Sequence, residues 1–114
     1  MLGASSRPSI PVPLEIGTLV AEIEHRLRPD EIWLFGSRAR GDHRSDSDWD
    51  LLAVLADDAP AEFDDPVLAW SIVQEAEAPV TLLSTRSTDL KEIWGLPNTL
   101  GYDLSREGVR LLVR

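Results

Sequence analysis

The chain has 114 residues, 43% of them hydrophobic and 27% charged. That suits one globular domain and argues against a disordered chain. A net charge of -9 speaks against general affinity for nucleic acid, because neutralising phosphates takes a basic surface. The charge leaves room for a basic protein partner, and for a nucleotide whose phosphates arrive with a divalent cation. There are no cysteines, so disulfides and thiolate metal sites are excluded. No apolar run approaches the roughly 20 residues that span a bilayer.

Met1 to Pro13 holds Pro8, Pro11 and Pro13 and reads as a loose arm or an extended lead-in segment. It lacks the charged-then-apolar layout of a signal peptide, so a cytoplasmic location is expected. Residues 14–114 are then expected to form a single domain. Leu14 to Leu27 places apolar residues at 16, 19, 20, 23 and 27, which is helical spacing, and Pro29 stops the helix. Ile32 to Phe35 reads as a short buried strand ending at Gly36. Trp49 to Leu55 is a second strand, apolar enough to be covered on both faces. Ala61 to Ala76 reads as a helix with Pro66 near its start or splitting it. Val80 to Ser84 gives a third strand, and Thr85 to Trp94 a short helix. Leu104 to Leu112 reads as a last helix or turn. The order predicts an α/β or α+β domain with a small mixed sheet flanked by helices.

The chemistry concentrates between the first two strands. Gly36-Ser37 follows an apolar strand and opens into a helix. Amides at a helix start lack intrahelical acceptors, and glycine lets a phosphate approach the backbone. Ten residues after Ser37 comes Asp48-Trp49-Asp50. Residues two apart on a strand share a face, with Cα atoms about 6.5 Å apart. Two carboxylates held side by side repel unless a cation lies between them, and hard oxygens at that spacing suit Mg²⁺. Alone, Asp-x-Asp also fits a solvated acidic loop. The preceding Gly-Ser and the apolar strand that follows favour the metal reading.

Gly-Ser, ten residues and Asp-x-Asp resemble the signature of the DNA polymerase β-like nucleotidyltransferase superfamily. The stretch from Leu34 to Gly41, with Ser47 to Leu51, is similar to its minimal members, the small MNT proteins. Those are often antitoxins paired with HEPN-domain toxins. The resemblance is specific from Ile32 to Val54 and weaker later in the chain. It implies a nucleotidyltransferase fold, ATP as substrate and two Mg²⁺ ions. Gly36 and Ser37 would hold the triphosphate, and Asp48 and Asp50 would be the catalytic and metal-binding acids. Arg38 and Arg40 would lie near the phosphates or serve as surface charges. The implied reaction is transfer of AMP to a hydroxyl of a HEPN-type toxin, with no direct nucleic-acid or membrane contact.

One departure stands out. Active members of the family carry a third carboxylate on a later strand, typically in a Val-Asp-Leu context. The matching segment here is Val80-Thr81-Leu82, and threonine supplies no charge. Two readings therefore stay open: an enzyme, and a nucleotidyltransferase fold that neutralises its partner by contact alone. His25 and His43 have no partner at metal or triad spacing. Of the four tryptophans, Trp49 is expected to point away from the acids that flank it. Trp94, beside Gly95, is the candidate for an exposed partner contact.

Overall fold

The computed structural model describes residues 9–76 and 78–111. Residues 1–8, most of the expected arm, lie outside them, as do Glu77 and residues 112–114. Nine elements follow in order: α1 (Gly17–Leu27), β1 (Glu31–Phe35), α2 (Ser37–Arg40), β2 (Trp49–Leu55), α3 (Pro66–Gln74), β3 (Val80–Arg86), α4 (Ser87–Ile93), α5 (Leu100–Glu107) and β4 (Val109–Arg110). The strands form one mixed sheet in the order β3-β2-β1-β4. β2 runs antiparallel to β1 and parallel to β3, and β1 runs antiparallel to β4. A parallel pair needs a crossover, and α3 provides it between β2 and β3.

β2 explains the layering. Every residue from Trp49 to Leu55 is buried except Asp50, which is half-buried. Alternate residues feed opposite faces of a strand. Trp49, Leu51, Ala53 and Leu55 enter a large core with Leu19, Val20 and Ile23 of α1 and Ile72 of α3. Leu52 and Val54 enter a smaller core with Trp33, Leu90 and Leu104. Asp50 belongs to the second face and stands beyond the end of that smaller core.

Most elements form where the sequence places them, with shifted ends. The first helix opens with a tight turn at Leu14–Ile16 and becomes regular at Gly17. It ends on Arg28 in a left-handed conformation (φ 46°) just ahead of Pro29. The expected helix from Ala61 is split. A tight turn spans Ala61–Asp64, and α3 begins at Pro66 behind Asp65, whose carboxylate accepts from the Val67 amide. β3 runs two residues past Ser84, and α4 starts at Ser87.

The C-terminus differs from expectation. The helix expected over Leu104 to Leu112 begins at Leu100 and stops at Glu107, and its last residue, Leu112, lies outside the described residues. Gly108 turns the chain to extended, and a Cβ there would sit 2.8 Å from the Leu104 carbonyl oxygen. Val109 and Arg110 then pair with Leu34 and Trp33 as β4. The Arg110 guanidinium meets Glu31 at 3.1 Å. Ile10 bridges to Leu111, its amide donating to the Arg110 carbonyl at 2.9 Å. A two-residue strand has no periodicity to read; partners distant in sequence create it. Among the described residues no helix is long and apolar enough to cross a membrane.

Candidate functional site at the end of the central strands

β1 delivers Gly36 and β2 delivers Asp50 to the same end of the sheet, where Phe35 and Asp50 are paired residues. Gly36 has φ 73° and ψ −157°, a backbone region that only glycine enters at low cost. A side chain there would also collide with the Asp50 carboxylate, whose Cγ would be 3.1 Å from the added Cβ. The glycine turn and the second aspartate thus touch. The backbone that invites a phosphate and the oxygens that invite a cation occupy one corner. α2 is a single turn, with the Arg40 amide donating to the Gly36 carbonyl at 3.1 Å. Its dipole is weak, so any anion here is met by individual amides and the Ser37 hydroxyl.

Asp48 precedes β2 and is exposed, while Trp49 between the acids is buried on the other face, as expected. Thr81 stands opposite Asp50 in the parallel β2–β3 register. Its hydroxyl donates to Asp48 Oδ2 at 3.4 Å. Burial and the nearby charge of Asp48 push the Asp50 carboxyl above its ordinary value, and Arg40 partly offsets this. A carboxylate whose ionised form is disfavoured by burial and by a neighbouring like charge is favoured by a cation. The donors fit a hard divalent ion that keeps phosphate oxygens and waters as its remaining ligands. They supply two carboxylates and one neutral hydroxyl. Among the described residues no cluster of three acidic or histidine side chains forms.

Both arginines of α2 are engaged with protein. Arg38 Nε donates to the Ser47 carbonyl at 3.0 Å and Nη2 to the Ser45 carbonyl at 3.2 Å. Its guanidinium lies 4.1 Å from the centre of the Trp49 ring. Arg40 pairs with Asp42 at 3.1 Å and with Glu107 of α5 at 3.0 Å. Glu107 gave no sequence signal, because its link to Arg40 spans 67 residues. His25 and His43 are both exposed.

Trp94 is not the exposed tryptophan. It is half-buried and packs edge-to-face on Trp33, with ring centres 5.7 Å apart. Trp70 on α3 is the exposed one, at 60%, with Val67 one turn earlier at 67%.

A mixed sheet with a glycine-serine turn leading to an acid pair at the start of the neighbouring strand defines a nucleotidyltransferase-type domain. The family model described as "Polymerase beta, Nucleotidyltransferase" matches residues 18–114. The chain belongs to that family. No curated protein gives a significant match. Among solved structures the chain is similar to one from the crystal structure of a toxin–antitoxin with AMP-PNP. The two share 20% identity and superpose with a TM-score of 0.56, over 90% of this chain and 75% of the other. That likeness is one of fold.

Proposed function

We propose that this protein is the antitoxin of a HEPN-type toxin–antitoxin pair, and that it neutralises the toxin by transferring AMP from ATP to a toxin hydroxyl. The observation that carries the reading is the contact between Gly36 and Asp50, which joins a phosphate-admitting turn to a cation-seeking acid pair. Membership of the nucleotidyltransferase family supports it. So does the similarity to a structure that pairs a toxin–antitoxin with a nucleotide analogue. A cytoplasmic setting, where ATP is abundant, goes with this reading.

Gly36 and Ser37 receive the triphosphate on backbone amides and the Ser37 hydroxyl. Asp48 and Asp50 would hold Mg²⁺, which would supply charge neutralisation to the phosphates. The hydroxyl oxygen of the toxin forms a bond to the α-phosphorus as the bond to the bridging α–β oxygen breaks. Pyrophosphate leaves, and the hydroxyl proton passes to solvent. The protein's work is positioning and charge placement, and no covalent enzyme intermediate is required.

Thr81 favours a second reading. A neutral hydroxyl opposite Asp50 leaves the attacking oxygen without a carboxylate to prepare it. The same fold would then bind nucleotide and neutralise its partner by contact alone. The test incubates the chain with α-labelled ATP, Mg²⁺ and the co-encoded toxin. Label on the toxin that disappears with Asp48→Ala establishes transfer. Neutralisation that persists in Asp48→Ala without label establishes contact. No binding of ATP–Mg²⁺ at millimolar concentration overturns the nucleotide site in both readings.

A further inference from the structure

Residues Gly41 to Asp46 are all exposed, so the connection that brings the chain to Asp48 has no core of its own. Something polar must set where it arrives. Ser47 closes a turn on Arg44, its amide donating to the Arg44 carbonyl at 3.1 Å while its hydroxyl accepts from the Arg44 amide at 2.8 Å. Arg38 fastens that turn to α2. Its guanidinium donates to the carbonyls of Ser47 at 3.0 Å, Ser45 at 3.2 Å and Arg44 at 3.5 Å. The same group stacks over Trp49, which is 6% exposed and lies between the two acids.

We propose that Arg38 is the positioning residue of the acid pair, acting through the 44–47 turn and the Trp49 ring and not as a phosphate ligand. The inference rests on the nucleotide reading above and gives this arginine a different task. Asp48 sits one residue beyond Ser47 and one before Trp49, so both neighbours of the first aspartate are held by a single side chain. Asp50 is already fixed by β2, paired to Phe35 on one side and Thr81 on the other. Asp48 lies outside the strand, and Arg38 supplies what the ladder does not. The task needs an arginine. A planar fork serves several carbonyls at once and stacks on an indole, while the compact ammonium of lysine makes one such contact at a time.

The experiment uses the full chain and its Arg38→Ala and Arg38→Lys variants. Amide hydrogen exchange is followed at Ser47, whose amide bonds the Arg44 carbonyl inside the turn that Arg38 holds, and ATP is titrated with Mg²⁺ and again with chelator. The positioning role predicts exchange at this amide faster by about tenfold or more in both variants, with β1 and β2 unchanged. It predicts that ATP affinity measured with Mg²⁺ falls about tenfold in both variants while the Mg²⁺-free affinity stays. Lysine does not rescue. Unchanged loop exchange overturns the proposal. So does a lysine variant with wild-type affinity beside an alanine variant that has lost Mg²⁺-free binding, since that is how a phosphate ligand behaves. If the wild-type chain binds no ATP, the nucleotide reading fails and loop exchange alone decides the role of Arg38. Should Arg38→Ala lose protection throughout the core, Arg38→Lys, which keeps a cation over Trp49, carries the comparison.

Discussion

Asp50 and Thr81 stand side by side on parallel strands, and the Thr81 hydroxyl reaches across to Asp48 at 3.4 Å. The position where the family resemblance implies a third acid thus lies within reach of the acid pair. Thr81→Asp places a third carboxylate there without burying it, because Thr81 is exposed. If the protein transfers AMP as proposed, transfer to the toxin is expected to rise by about tenfold or more, the scale of one well-placed acid–base group. Rates of label transfer under single-turnover conditions check it. No gain in a folded variant would remove Thr81 from the site.

Gly36→Ala tests the corner itself. The backbone at φ 73° resists a side chain, and the new Cβ would push Asp50 aside. The cost to stability is expected to be about 1–3 kcal/mol. Thermal unfolding measures that cost. Nucleotide titration at a temperature where the variant is folded should show binding lost, because the turn and the acid move together.

Asp50→Asn separates stability from function. The folded state raises the Asp50 carboxyl above its ordinary value of 3.8, so its ionised form is a net cost to the fold at neutral pH. Without divalent cation the variant is expected to melt higher than wild type. The gap should shrink as pH falls through the raised value, where wild-type Asp50 takes up a proton. With Mg²⁺ and ATP the order reverses, since only the wild type gains stability from the ligand. Melting curves across pH, with and without Mg²⁺–ATP, read both signs.

The loop between β2 and α3 hangs on Arg86, whose guanidinium meets Asp64 at 2.6 Å and the carbonyls of Ala56 and Ala59 at 3.1 and 2.6 Å. Arg86→Ala is expected to cost about 1–2 kcal/mol, since half-buried carbonyls lose a charged donor. Denaturant unfolding gives that number. Beside it, Asp57 accepts from the amide and hydroxyl of Thr88, which hold its carboxyl below the usual range. Its contribution is therefore present above pH 3.8 and fades as pH falls through the lowered value. Asp57→Asn should remove that part of the acid limb in a pH-dependent melt.

Trp70 and Val67 stand one turn apart on the outward face of α3, both more than half exposed. Tryptophan, with tyrosine and arginine, is enriched among the residues that carry binding energy at interfaces. Trp70→Ala is expected to weaken the complex with the toxin by about 2 kcal/mol or more while leaving ATP binding unchanged. Isothermal titration with each ligand separates the two effects. Equal loss of both would point to a folding defect.

The sequence by itself determined the local chemistry and the elements with long patterns. Helical spacing placed α1, continuous apolar runs placed β1 and β2, and Gly36-Ser37 with Asp48-x-Asp50 marked the family and the candidate site. These are short-range facts, set by backbone sterics and by side chains a few residues apart. Only the tertiary structure decided what depends on residues far apart. β4 exists because β1 is there to pair with it, and periodicity cannot announce a two-residue strand. Trp94 is half-covered because Trp33 packs against it, while Trp70 is left open. Arg40 finds Glu107, and Arg38 finds the carbonyls ahead of Asp48, through a loop whose path the chain's own pattern does not encode. Thr81 shows both levels at once. The residues alone said that it brings no charge; the β2–β3 register put that neutral hydroxyl beside Asp50.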